Sequence, residues 1–203
     1  MPEDVGNLLK TKARLWIAPE GEALPDESSV AVEAAWGGNW VALGYTKEPL
    51  AFKYEYEEME FHIEQALAAV DKRKRGEKAM FETVLAEFTA LNLAYVSGSN
   101  SSAVTTTAAG ASQVGYEEIE IGNELFVRKH AIGFEGTFYD SNEVALPVRI
   151  FFTRATMQIN GNLTFSQKDD DYSGIPVSIQ AMADPANNNK MFKLQRVTAP
   201  ATS

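Results

Sequence analysis

The chain has 203 residues, a formal net charge of −10, 45% hydrophobic and 23% charged residues, and no cysteine. That length suits one sizeable domain, or a domain with arms, and no apolar run approaches the roughly 18 residues of a membrane span. The acidic balance excludes nucleic-acid binding through a general basic surface, and the missing cysteines exclude disulfides and thiol chemistry, which fits a reducing cytoplasm.

Residues 1–12 (MPEDVGNLLKTK) read as an arm, with early acidic residues and no apolar core of the kind a secretory signal carries. Residues 13–197 read as one domain. ARLWIA at 13–18 predicts a first strand, and a Pro/Gly/acidic loop follows through residue 29. Residues 30–35 predict a strand that turns at Gly37-Gly38 into another at 39–45, because paired glycines supply the positive φ values of a tight hairpin turn. After a turn at 46–49 comes the most informative stretch. About sixteen residues, 49–64, alternate almost without interruption, where a typical strand has about five or six. A strand of that length outruns its own domain, and a neighbouring subunit is its expected destination.

Tyr54 and Tyr56 take one parity of this strand, Met59, Phe61 and Ile63 the other. A β-bulge at Glu57-Glu58 is expected to restore one continuous apolar face, since a shift of one residue exchanges the two faces. DKRKRGEK at 71–78 reads as a charged turn and 79–85 as the return strand, so that 46–85 forms a long hairpin. Residues 86–96 predict the helix, with Leu85, Phe88, Leu91 and Tyr95 on one stripe and Gly98 as its stop. The Ser/Thr/Ala/Gly-rich segment 97–113 reads as a flexible loop. Strands return at 116–121, 125–134, 145–153, 156–165, 175–182 and 191–197, and 198–203 is a C-terminal tail. Turn signals every ten or so residues predict a mainly β fold: an antiparallel β-sandwich or barrel with one flanking α-helix and a long projecting β-hairpin.

Chemical signatures are sparse. Glu58, Glu60, His62 and Glu64 share one strand face, but a flat row of alternate residues does not converge on a metal ion. Asp169, Asp170 and Asp171 superficially suggest a calcium loop, yet the twelfth position from Asp169 is Gln180 rather than Glu. With two histidines, His62 and His130, and no cysteine, few nucleophile–base pairs exist, and no phosphate-cradling loop, nucleophile elbow or dinucleotide fingerprint appears. The expectation is no catalytic residue, no metal and no cofactor. Asn162-Leu163-Thr164 matches a glycosylation acceptor, which means little without export. Trp16, Trp36 and Trp40 fit either a sugar-stacking platform or the commoner role of Trp in core and interface packing.

The charged residues of the hairpin are the best site candidates. Glu55, Glu57, Glu58, Glu60 and Glu64 make an acidic strand, and Lys72, Arg73, Lys74 and Arg75 a basic turn. The basic group is either a solubilising tip or a latch onto the acidic strand of the next subunit, with Tyr54 and Tyr56 beside it. Exposed ion pairs contribute little singly, so a latch sets register and orientation while apolar burial and strand pairing supply affinity.

Taken in order, WIAPEGEALP (16–25), AAWGGNWVALGYTKEPLAFKYEYEE (34–58), the basic turn and FETVLAEFTALNLAYV (81–96) resemble the major tail tube proteins of long-tailed bacteriophages. IQAMADPANNNKMFKL (179–194) is similar to the closing strands of that family, with an Ala-Asp-Pro turn between two strands. The resemblance covers about residues 13–197 and implies a virion structural protein that self-assembles into stacked hexameric rings, forming the hollow tube for DNA ejection. It implies that the long hairpin contacts the adjacent ring. Implied partners are further copies of the chain, the tape measure protein, the tail terminator and the distal tail or baseplate proteins. DNA would pass without specific binding, no membrane would be involved, and synthesis would be in the host bacterial cytoplasm. If acidic residues line the bore, they repel phosphate at short range, screened beyond roughly 8 Å. The competing readings are a monomeric carbohydrate-binding β-sandwich using its tryptophans, a metal-dependent hydrolase, and a related tube protein of a contractile tail or secretion system.

Overall fold

The computed structural model describes residues 14–26, 30–62, 64, 68–99, 101–122, 125–139, 143–163 and 173–198. The arm expected at 1–12, the aspartates at 169–171 and the tail beyond residue 198 lie outside the described residues.

In chain order the elements are β1 (Arg14–Pro19), β2 (Val41–Ala42), β3 (Ala51–Phe61), β4 (Asp71–Leu85), α1 (Ala90–Val96), β5 (Val104–Thr107), β6 (Tyr116–Ile119), β7 (His130–Tyr139), β8 (Ala145–Ile159), β9 (Ile175–Ala181) and β10 (Lys193–Arg196). The main sheet runs β2-β1-β7-β8-β9-β4-β3, with β10 added on β8, while β5 and β6 form a separate two-stranded sheet. All the strand pairings are antiparallel. The fold is therefore mainly β and sandwich-like with one helix, as its alternating apolar pattern predicts.

The two strands expected at 145–153 and 156–165 are one strand, β8. Its residues 148–151 pair with β10 and 155–159 with β9, and the register with β7 slips between His130 and Ile132 at the changeover. A bulge of this kind bends and twists a strand, so β8 can serve two neighbours on the same side. One face of the sheet encloses the larger core, where Leu15, Ile17, Phe81, Ile132, Phe152 and Ile179 are all fully buried. Phe81 and Phe152 stack there with centroids 4.5 Å apart.

Helix α1 adds Tyr95 and Val96 to that core. It starts at Ala90 rather than at 86 because Thr89 is extended (φ −114°, ψ 154°), and its hydroxyl accepts the N–H of Asn92 at 3.0 Å. Such a cap satisfies one of the orphan donors of the first turn. Within the segment read as a loop at 97–113, Val104–Thr107 pairs with Tyr116–Ile119. The run Val-Thr-Thr-Thr is β-branched throughout, and that property outweighs its Ser/Ala-rich surroundings.

The other face of β1, β7 and β8 is covered by chain from the 20–40 region. Residues 30–35 form no strand, and of 39–45 only Val41–Ala42 pairs, against β1. Glu33, Gly37 and Gly38 all have positive φ (62°, 73° and 57°), which breaks the extended backbone and turns Trp36 and Trp40 inward as a strap.

Candidate assembly surface

β3 is the end strand of the main sheet, so its outer edge faces no strand among the described residues. Its base sits on the body: Phe52 lies 5.4 Å from Phe81 and 5.4 Å from Phe192, and Tyr54 5.5 Å from Phe192. Beyond Tyr54 the strand pairs only with β4, as a two-stranded arm whose side chains are nearly all exposed. At about 3.4 Å per residue the stretch from Tyr54 to Phe61 extends roughly 24 Å.

The basic residues Lys72, Arg73, Lys74 and Arg75 lie in β4 itself, which begins at Asp71 after β3 ends at Phe61. Cross-strand charge favours this: Lys72, Arg73 and Lys74 each find a carboxylate or an aromatic ring on the same ribbon. Lys72 Nζ lies 2.7 Å from Glu60 Oε1 and 3.4 Å from Glu58 Oε2. Its hydrogen bond holds the Glu60 carboxyl below the usual carboxylate range, and Lys72 is shifted up in turn. Lys74 Nζ donates to Tyr54 Oη at 3.0 Å and Glu77 Oε1 at 2.9 Å, and sits 4.7 Å above the Tyr56 ring. These bonds raise the pKa of Lys74, the phenol contributing most. Arg73 Nε donates to Asp71 Oδ2 at 2.9 Å, with its guanidinium 5.2 Å over Phe61. Glu55 pairs with Lys53 at 2.8 Å. Arg75, Glu57 and Glu64 have no ion pair among the described residues.

The register does slip between Glu57 and Glu58, but the extra residue is Arg75 on β4, not one in β3. β3 therefore alternates without a break, and the expected single apolar face does not form. One face carries Phe52, Tyr54 and Tyr56 and then the charged Glu58 and Glu60, paired with Lys72. The opposite face carries Lys53 and Glu55, then Met59 and Phe61. The arm thus reverses its polarity halfway along. No three acidic or histidine side chains gather around a point that would hold a metal ion among the described residues.

A model of the family described as Phage tail tube protein matches residues 5–199. The chain belongs to that family. No curated protein matches it. A tail tube protein is a structural component of the virion tail that associates with its own copies and with other tail components. No helix among its described residues is long and apolar enough to cross a membrane.

The tryptophans of this tail tube protein are not a surface platform. Trp16, Trp36 and Trp40 are buried together, Trp36 stacking on Trp16 at 5.2 Å and meeting Trp40 edge-on at 5.0 Å. Beneath them lies a buried ion pair that a linear reading passes over. Glu135 and Arg149 stand directly opposite on β7 and β8, and Arg149 Nη2 is 2.7 Å from Glu135 Oε2. Glu135 also accepts from Trp36 Nε1 at 3.2 Å and Glu33 N at 3.0 Å, while Arg149 donates to the carbonyls of Val30 and Ala31. The pair fastens the strap to the sheet. The available signal was a lone charge within each of two apolar strands, GFEGTFY and LPVRIFF.

Proposed function

We propose that copies of this tail tube protein close into hexameric rings and stack into the hollow tail tube through which phage DNA passes into the host. The observation that carries the reading is the arm: an eleven-residue end strand with an open edge, held to the body only at its base. A two-stranded ribbon is marginal alone in water, and open strand edges pair readily with another chain. Such head-to-tail contacts make rings when the rotation closes and filaments when it does not, and a tube needs both. The arm reaches far enough to leave its own body, which suits contact with the adjacent ring.

The charge fits a conduit that guides DNA without gripping it. Each subunit contributes −10, so a closed ring presents a strongly acidic object to phosphate. Of the acidic strand, Glu58 and Glu60 share the single charge of Lys72 and Glu55 pairs with Lys53, which leaves Glu57 and Glu64 as the arm carboxylates best placed to act in the bore. The further partners in this reading are the tape measure protein, the terminator and the distal tail or baseplate proteins. Synthesis takes place in the host bacterial cytoplasm.

Negative-stain electron microscopy of the concentrated protein, with and without a tail-tip initiator complex, tests the reading. Hollow six-fold rings or tubes are expected. Dispersed monomers under both conditions refute it.

A further inference from the structure

The chain holds eleven asparagines, and Asn160 alone precedes a glycine. It sits where β8 runs out. Ile159 is the last β8 residue in the ladder with β9, opposite Val177, and Asn160 N still donates to Pro176 O at 2.9 Å. The main chain then turns at Gly161, whose φ of 127° is one that residues with side chains rarely adopt. Asn160 and Gly161 are both exposed. Among the described residues, a Cβ built on Gly161 meets only the Pro176 ring, at 3.6 Å, so the space around this peptide is open.

The side chain of Asn160 reaches back across the sheet. Its Nδ2 donates to Glu82 Oε1 at 3.4 Å, a half-buried carboxylate on β4, with β9 lying between the two strands. Lys53, which feels the Glu82 charge, is paired with Glu55 at 2.8 Å. The amide of Asn160 is thus a hydrogen-bond donor held against an anion, beside a glycine that leaves its own nitrogen uncrowded.

We propose that Asn160-Gly161 is a self-modification site, where the folded chain loses the Asn160 amide without an enzyme and gains a carboxylate facing Glu82. Asparagine is among the thermolabile residues, and glycine carries no Cβ to crowd the attacking nitrogen. Gly161 N attacks Asn160 Cγ. The N–Cγ bond forms, the Cγ–Nδ2 bond breaks, and Nδ2 leaves as ammonia with the proton that Gly161 N gives up. Water then opens the cyclic imide at either of its carbonyls. One opening gives aspartate, the other isoaspartate, whose main chain runs through Cγ. Nothing is oxidised or reduced, and water is the co-reactant. Either product takes the formal charge from −10 to −11. The donor that faced Glu82 becomes a like charge at hydrogen-bonding range, and isoaspartate also adds a main-chain carbon at the end of the β8–β9 ladder. A virion protein is not replaced once the particle is released, so the conversion accumulates with particle age.

The folded protein, incubated in mildly alkaline buffer made with heavy-oxygen water, is mapped over time by peptide mass spectrometry with isoaspartate detection. The heavy label marks acids formed during the incubation. Asn160 is expected to convert several-fold faster than any other asparagine, with isoaspartate among the products. The same chain unfolded in guanidinium gives the conversion that sequence alone permits. An intact Asn160 in the folded protein, beside conversion in the unfolded chain, overturns the proposal. So does conversion at Asn160 no faster than at the other asparagines. N160D is expected to melt roughly 1–3 °C below the parent at neutral pH, and the same change in an E82Q background to cost little. An N160D protein that melts with the parent overturns the opposition to Glu82.

Discussion

Replacing Gly133 by alanine tests how the strap is locked to the sheet. A Cβ at this position overlaps Cζ3 and Cη2 of the Trp36 ring, and Phe151 Cδ1 closes the space at 3.4 Å. The ring has nowhere to go. Trp16 lies parallel at 5.2 Å, Trp40 meets it edge-on at 5.0 Å, and Nε1 is tied to Glu135. Overpacking a core costs about 1–3 kcal/mol, and losing a buried Trp outright about 3–5 kcal/mol. G133A is therefore expected to cost about 3 kcal/mol, or a fall in Tm of roughly 6–12 °C for a chain of this size. Far-UV circular dichroism melts measure the loss, and the near-UV tryptophan signal shows whether the plate is displaced. In a W36A background the same change has nothing to strike, so the double-mutant cycle returns a coupling of about 2–3 kcal/mol. A G133A protein melting within about 2 °C of the parent refutes the argument. So does an equal loss in both backgrounds.

R149L leaves the Glu135 charge buried without its cation and is expected to cost about 3–5 kcal/mol in urea unfolding, most of it recovered in E135L/R149L. His130 is buried, its Nε2 donating to Ser99 O at 3.1 Å, and burial pushes its pKa below the usual 6.5, opposed by that bond and by Glu20 and reinforced by Arg128. The unfolded chain then binds the proton more readily, so stability is full above pH 6.5 and falls as pH drops from there toward the lowered value. H130Q flattens that limb of the stability–pH curve; an unchanged slope removes His130 as its source. Asn188 and Asn189 both sit in the left-handed region (φ 53° and 59°) after the turn that Asp184 caps. N188A and N189A are each expected to cost about 1 kcal/mol in thermal melts, while the glycine variants stay within about 0.5 kcal/mol of the parent.

The strand content, the long hairpin and the Ala-Asp-Pro turn between β9 and β10 were legible because each rests on local chemistry: alternation, strand length and turn residues. What stayed hidden depends on partners far along the chain. Residues 30–40 have strand-like composition, but Trp36 finds its place against Gly133 and Glu135, about a hundred positions away, and the strap is built from that contact. The slip at Glu57 was visible as a change of parity. Which strand absorbs it was not, because the answer lies in the position of Gly76 on the partner strand, opposite Glu57, with Arg75 left over. Of the site candidates, Lys72, Arg73, Lys74 and Arg75 were read as a turn and lie in β4. Residues 125–129 were read as strand, but β7 begins only at His130, and the exposure of Leu125 and Phe126 carries no mark in sequence.

These placements change what salt should do. A latch made of a four-residue basic tip releases several ion pairs between subunits, and high salt then dissolves the tube. Here Lys72, Arg73 and Lys74 have their carboxylates and rings on their own ribbon, so screening acts on the arm's internal ladder. Between copies that leaves apolar cover, strand pairing and the cations of Arg75 and Lys78. Apolar burial does not weaken in salt and strengthens with sulfate or phosphate, while exposed pairs are screened within about 8–10 Å. Assembled tubes followed by light scattering are therefore expected to persist from low to about 1 M sodium chloride and to become more stable in sulfate. Dissolution at moderate chloride restores the basic latch and counts against an arm seated mainly through Met59 and Phe61.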